Sequence, residues 1–396
     1  MNNTTETIKT VCKKDQCAGC MACVDICPTN SIHIKDSLCS MNAVINTKTC
    51  IECRQCYKVC QYNNPSELRK PMTWYQGWAA DEIRVGSSSG GFGQELIRTF
   101  MQNDGIVAAC KLVQGDFKFV LVKEAKEIDG IPGSKYVKSN PVGIYKKIKK
   151  QLAMGDKVLF IGLPCQVSSL RNYIGENSNL YTVDLICHGS PSTKLLRQSL
   201  KEYGYDLDSI NEIFFRKNTR FGLETSIKKI VPESVQDRYT MAFLNGLDYT
   251  ENCYSCRYAQ INRVGDLTIG DSWGTEFNNE LLNGISLILC QTSKGKELLD
   301  AMQFTLKPVN LDNAIANNKQ LKHPSIKPKQ RMIFFKNIYK GLGFNKAVML
   351  SFPKKCIKQD IKGFLIKHNI IRGGGGITNN YEIGLITKDR NIINNG

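Results

Sequence analysis

The stretch CAGCMACVDICP, residues 17–28, sets four cysteines at spacings of three, three and four and closes on a proline. The same spacing returns 33 residues on, at Cys50, Cys53, Cys56 and Cys60, so the chain opens on an internal repeat. Three cysteines two residues apart wrap tightly enough for their sulfurs to reach three corners of one iron–sulfur cube. A fourth, four residues further, points away and can serve a second cube. That spacing assigns one cluster to Cys17, Cys20, Cys23 and Cys60, and the other to Cys50, Cys53, Cys56 and Cys27. A pair of zinc sites is the rival reading, but zinc takes four ligands per ion and leaves the third cysteine of each triplet without a task. Pro28 stops the turn that carries Cys27, and Ile32 and Ile34 alternate as in a short strand.

At 396 residues and 42% hydrophobic content the chain is long enough for two or three domains around a real core. The start MNNTTETIKTVC has neither the basic head nor the apolar run of a signal peptide, and no stretch of about 18 apolar residues follows. A cytoplasmic location is therefore expected, where thiols stay reduced and clustered cysteines mark metal or redox sites. The net charge of +17 is unevenly spread: residues 319–372 hold 14 Lys and Arg against Asp360 alone, which accounts for 13 of it. A nucleic-acid partner is not expected from such a distribution. In this segment Ile357, Ile361, Phe364 and Leu365 share one helical face, and Met332, Phe335, Ile338, Tyr339 and Leu342 repeat the arrangement. The segment reads as helices that either cap the domain or make a peripheral contact with the inner face of a membrane. Residues 373–396, a glycine run followed by an Asn-rich stretch, read as disordered.

Between these ends, Trp74 to Ala79 reads as a strand, and RVGSSSGGFGQELIRTFM as a Ser/Gly loop, Gly86 to Gly91, entering a helix. Such a loop suits a phosphate or an electron-rich ring edge, and a plain N-cap or linker would look the same. KVLFIGLPCQVSSLRNY (157–173) and NLYTVDLICHGSPSTKLLRQSL (179–200) are two strand–turn–helix units, which argue for a parallel or mixed sheet with helices on its faces. Ligands in such sheets sit at the carboxyl ends of strands, where Cys165 and Cys187 fall. With Cys253 and Cys256 they make four loop-end thiols, enough for one more tetrathiolate site; zinc on the C-x-x-C and a buried structural Cys165 are the alternatives. His188 reads as a hydrogen-bonding residue, and Asp271 as a turn aspartate or a proton donor. Cys110 and Cys290 read as core, Cys12 and Cys39 as spare thiols, and Cys356 has no assigned role.

Residues 8–64 resemble a bacterial-type two-cluster ferredoxin, with Met21 and Arg54 in place of the glycine often found inside the triplets and Gln61 in place of a proline. GSSSGG at 86, GSKYVKS at 133, GLPCQ at 162, DLICHGSPS at 184, FFRK at 214, CYSC at 253 and GDLTIGDSWG at 265 resemble the beta subunit of deazaflavin (coenzyme F-420) hydrogenases and dehydrogenases, in a bacterial form with a ferredoxin domain in front. The resemblance implies FAD and a third 4Fe-4S cluster, the latter on Cys165, Cys187, Cys253 and Cys256. It implies that Ser88, Ser89, Gly90 and Gly91 line the flavin with Lys135 and Tyr136 nearby. Phe221 stands where relatives often carry a tryptophan.

Together these readings give an α+β chain. A ferredoxin domain (1–64) is followed by a mixed α/β flavin-binding domain with a sheet flanked by helices (65–318, in parts 65–155 and 156–318). A basic helical tail (319–372) and a disordered end (373–396) complete it. The expected function is an iron–sulfur flavoprotein oxidoreductase that passes electrons between its clusters and FAD, to or from an organic acceptor. A ferredoxin or other redox protein would be its donor and a small molecule its substrate, with homo-oligomers permitted. An electron-transfer subunit of a larger complex and a basic-tail scaffold at an anionic surface are the competing functions. Arg54, Lys135 and His188 are the expected tuners of potential.

Overall fold

The computed structural model describes residues 9–371 apart from 218 and 227, so the expected disordered end at 373–396 lies outside the described residues. In the N-terminal region β1 (Ile32–Asp36) and β2 (Met41–Ile45) pair antiparallel, with Ile34 opposite Ala43. Two five-residue helices, Ala22–Ile26 and Gln55–Val59, flank this hairpin.

The larger region contains β3 (Thr73–Trp78), β4 (Ile106–Val113), β5 (Asp116–Val122), β6 (Val158–Gly162), β7 (Leu180–Leu185), the hairpin β8 (Ile213–Lys217) and β9 (Arg220–Thr225), β10 (Leu267–Asp271), β11 (Ser286–Cys290) and β12 (Thr305–Lys307). All but the β8–β9 hairpin form one sheet, in the order β12-β3-β11-β10-β7-β6-β4-β5. Strands β4, β6, β7 and β10 run parallel, while β5, β11, β3 and β12 join antiparallel, so the sheet is mixed. Strands from both sides of residue 155 enter it, so the two expected parts of 65–318 share one sheet.

Both faces are covered. Alternate residues of one strand point to opposite faces. Ile106, Ala108, Val158 and Phe160 pack with Ile144, Ile148, Val167 and Leu170 from helices Ile144–Ala153 and Pro164–Ile174. Val107, Ala109 and Leu159 pack instead with Phe92, Leu96, Leu298 and Leu299 from helices Phe92–Gln102 and Ser293–Asp300. A strand buried on both sides needs an unbroken apolar run, which is what Val158, Leu159 and Phe160 supply.

The N-terminal region is built into this body. Ala22, Cys23 and Ile32 share a core with Ile144, Tyr145 and Leu170. Gly143 N donates to Asp25 Oδ1 at 2.7 Å, and Tyr145 Oη donates to the Cys20 carbonyl at 2.6 Å.

The basic segment forms helices Gln330–Tyr339, Phe344–Ser351 and Pro353–Lys367. Phe334, Phe335, Ile338, Phe344, Ala347 and Val348 are buried against Leu195, Leu196, Leu200 and Tyr239, so the first two helices cap the domain. The apolar faces read from sequence divide, however: Phe335 and Ile338 are buried, whereas Met332, Tyr339, Ile357, Ile361 and Phe364 are exposed. No helix among the described residues is long and apolar enough to cross a membrane.

Candidate functional site

The two cysteine repeats fold alike. Each short helix starts from a left-handed residue, Met21 at φ 60° and Arg54 at φ 58°. Each ends on an extended fourth cysteine, Cys27 or Cys60, whose N–H turns back to Val24 O or Tyr57 O. Left-handed backbone favours glycine, and these are the two positions where the repeat departs from glycine.

The ends cross over, each repeat's fourth cysteine joining the other repeat's triplet. Cys17, Cys20, Cys23 and Cys60 line one cavity with Cys12. The thiols of Cys50, Cys53 and Cys27 instead face Cys56. Backbone amides serve the sulfurs: Gly19 N reaches Cys17 Sγ at 3.4 Å, Glu52 N reaches Cys50 Sγ at 3.4 Å, and Ser31 N reaches Cys27 Sγ at 3.2 Å. Thiolates ringed by N–H donors suit an anionic iron–sulfur cube, whose potential such bonds tune. Among the described residues no three His, Cys, Asp or Glu side chains close tightly enough around a point for a single metal ion. The grouping therefore rests on which thiols face one another and share a cavity.

Cys12, which falls outside the repeat, is buried and lines the same cavity beside Cys17 and Cys60. Its thiol holds that of Cys60 below the usual thiol range, whereas burial pushes Cys20 up to about 12. Its position five residues before Cys17 carried no spacing signal, because it reaches the cavity through tertiary packing.

Cys165, Cys187, Cys253 and Cys256 do meet. They line a cleft together with Lys138, His188 and Arg263. Cys165 follows Pro164 at the head of helix Pro164–Ile174, just past the end of β6, and Cys187 stands two residues past the end of β7. Burial pushes Cys187 up to about 12, with Cys253 and Cys256 adding to the effect. The C-x-x-C segment is held by Arg263, which donates to Asp184 Oδ1 through Nε at 2.9 Å and Nη2 at 2.6 Å and to Tyr258 O at 2.5 Å. Asp184 also accepts from Gly265 N and Thr268 Oγ1. Both members of the pair are buried.

The three thiol sets form a sequence in space. Cys23 faces Cys56 of the outer set, and Cys165 faces Cys20 of the inner one. Ser169, one turn beyond Cys165, donates to Cys20 Sγ at 3.0 Å and to the Cys165 carbonyl at 3.0 Å. Cys53 is exposed at the outer end, while Cys17, Cys20, Cys23 and Cys60 are buried.

Lys138 is the residue that sequence reading missed. It is 5% exposed, and its ammonium donates to Ala18 O at 2.9 Å. Burial opposes its charge, but the thiols of Cys253, Cys165, Cys187 and Cys17 outweigh this and raise its pKa. It lies inside the quoted GSKYVKS run, where only spatial closeness to two thiol sets distinguishes it. Of the three expected tuners, Arg54 is exposed and screened by water. Lys135, which burial lowers to about 8, gives its ammonium to the carbonyls of Ile131, Pro132 and Gly133. His188 is exposed on the cleft wall.

The residues expected at a flavin come together in part. Ser134 N donates to Ser88 Oγ at 2.7 Å, joining the GSSSGG and GSKYV segments, and Ser89 Oγ donates to Ile285 O at 3.0 Å. Gly91, at φ 82°, starts helix Phe92–Gln102. A Cβ on Gly90 would lie 2.4 Å from Gly77 O and 2.7 Å from Ser286 N, so this glycine lets the loop close onto β3 and β11. Tyr136 stacks on Phe243 at 4.3 Å and on Phe221 at 6.0 Å. Phe221 thus packs on Tyr136 and also meets the Arg216 guanidinium, which is 4.8 Å from its centroid. Arg216 pairs with Asp271 at 2.6 Å, which gives that carboxylate a fixed partner at the end of β10.

A family model described as the C terminus of the beta subunit of coenzyme F420 hydrogenase/dehydrogenase matches residues 155–310, and one described as a 4Fe-4S binding domain matches residues 13–33. The chain is 24% identical over 199 residues to a subunit of the F(420)H(2) dehydrogenase of Methanosarcina mazei, covering 46% of this chain and 55% of that protein. It is 21% identical over 337 residues to coenzyme F420-dependent sulfite reductase of Methanocaldococcus jannaschii, covering 77% of this chain and 48% of that protein. The chain therefore spans about half the length of these curated relatives. A chain of the F420-reducing NiFe hydrogenase complex from Methanosarcina barkeri superposes at a TM-score of 0.42 with 20% identity, covering 66% of this chain and 97% of that one. With its thiol sets at the strand ends, the chain is thus similar over residues 155–310 to the C-terminal part of coenzyme F420 hydrogenase/dehydrogenase beta subunits, and over residues 13–33 to a 4Fe-4S binding domain.

Proposed function

We propose that the chain is an oxidoreductase that relays single electrons through three thiolate-held clusters to or from a bound FAD, with an organic molecule such as a deazaflavin as the two-electron partner. The observation that carries this reading is the spatial order of the thiols. The set of Cys50, Cys53, Cys56 and Cys27 lies at the surface, that of Cys17, Cys20, Cys23 and Cys60 is buried next to it, and that of Cys165, Cys187, Cys253 and Cys256 lines the cleft. A flavin, when bound, supplies the exchange between one-electron and hydride chemistry.

The chain's own residues do the rest. The Ser88–Gly91 loop and the helix it starts would hold the flavin phosphates. Arg263 and Asp184 fix the C-x-x-C segment against the ends of β7 and β10. Lys138 keeps a positive charge between the inner and cleft sets, and His188 offers the cleft an imidazole. Lys135 and Tyr136 contact the protein itself, so their part is to shape the loop.

Anaerobic purification followed by iron, sulfide and flavin analysis tests this. Three clusters' worth of iron and sulfide with one equivalent of flavin supports the proposal; colourless, flavin-free protein overturns it. A second reading, an electron-transfer subunit whose catalytic partner is another chain, draws on the exposed outer end, where Ile51, Cys53 and Tyr57 face solvent. Bleaching by a reduced deazaflavin without any added protein would decide for the first reading.

A further inference from the structure

The last helix, Pro353–Lys367, turns two different faces to its surroundings. Toward the body it buries Cys356, accepts the Gln236 amide on Gln359 Oε1 at 2.9 Å, and brings Gly363 against Val235. Asp360, the lone acid of residues 319–372, is paired with Arg238 at 2.5 Å. Away from the body, Ile357, Ile361 and Phe364 recur at the spacing of one helical face and are 53%, 55% and 57% exposed. Lys354, Lys358 and Lys367 are exposed on the same helix. Met349 and Leu350 before the helix, and Ile370 and Ile371 after it, are exposed too. Among the described residues 11 of the 19 exposed large apolar side chains fall between Ile326 and Ile371.

We infer that this outward face docks on an anionic lipid bilayer, with Ile357, Ile361 and Phe364 entering the headgroup boundary and the flanking lysines meeting lipid phosphates. Charge complementarity selects the occupant. The segment carries most of the chain's net positive charge, and its single carboxylate is already matched by Arg238. Lysine is depleted at protein–protein interfaces, where aromatic residues and arginine dominate, whereas its long apolar stem and terminal charge suit the bilayer surface. The apolar residues stand as a ridge on one helix, a shape that slips between lipids. Contact would be peripheral, since no described helix is long and apolar enough to cross.

Flotation of the full, anaerobically purified chain with vesicles tests the inference. The chain should float with vesicles of phosphatidylcholine and phosphatidylglycerol at low salt, stay behind with phosphatidylcholine alone, and be released as salt rises. Ile361→Glu with Phe364→Glu should abolish flotation while iron and sulfide content and the melting temperature match the parent. Lys354→Glu with Lys358→Glu should weaken it. Failure to float with anionic vesicles at low salt, as expected if the face binds an acidic protein instead, overturns the inference. So does flotation of the Ile361/Phe364 variant that equals the parent's.

Discussion

The ammonium of Lys138 donates to the carbonyl of Ala18 at 2.9 Å, which fixes a buried cation beside Cys17 and within the field of Cys165, Cys187 and Cys253. A unit charge about 10 Å away at an effective dielectric of about 20 contributes roughly 1.7 kcal/mol, which corresponds to tens of millivolts for a one-electron couple. Under the proposed three-cluster arrangement, Lys138→Met should lower the potentials of the two clusters it faces and leave the outer cluster unmoved, and Lys138→Arg should restore them. Potentiometric titration followed by electron paramagnetic resonance reads this; an equal shift in all three clusters would point to general unfolding instead.

The crossed pairing of the repeats makes a distinct prediction. Cys27→Ala should cost the cluster of Cys50, Cys53 and Cys56, not that of its own triplet, while Cys12→Ala should keep every cluster. Iron and sulfide analysis should show one cluster lost in the first variant and none in the second.

Asp184 and Arg263 form a buried pair whose other hydrogen bonds are filled by Tyr258 O, Leu185 O, Gly265 N and Thr268 Oγ1. Removing one partner strands the other charge, so Asp184→Leu should destabilise the fold by about 3–5 kcal/mol. The double variant Asp184→Leu/Arg263→Met should recover part of that loss. Denaturant midpoints compare the two, and a single variant as stable as the parent would refute the pair's role.

Gly90→Ala forces a methyl group against Gly77 O and Ser286 N, both backbone atoms that cannot swing aside. Overpacking of this kind costs about 1–3 kcal/mol. The expected outcome is a lowered melting temperature together with reduced retention of the proposed flavin, because the loop can no longer close on β3 and β11. Full flavin content in a destabilised variant would separate the loop's packing from cofactor binding.

The thiol repeat and the strand–turn–helix units were legible because both depend on local spacing: Cys17 to Cys60 keep a fixed period, and Val158 to Gly162 form a continuous apolar run ending before Pro164. What the sequence did not reveal is long-range. Cys12 reaches its cavity across the N-terminal fold, and Lys138 matters through neighbours more than a hundred residues away in either direction. The tail's apolar positions were correctly periodic, yet periodicity cannot tell a face that packs on Leu196 from one that meets solvent. Phe335 and Ile357 therefore look alike in the sequence and differ in the fold.

Cys53 stands in solvent, while Cys17, Cys20, Cys23 and Cys60 are sealed. Air should therefore corrode the chain from one end, stripping the outermost cube early and sparing those behind it. A sample handled carelessly would keep part of its brown colour long after it had lost the terminal through which current arrives.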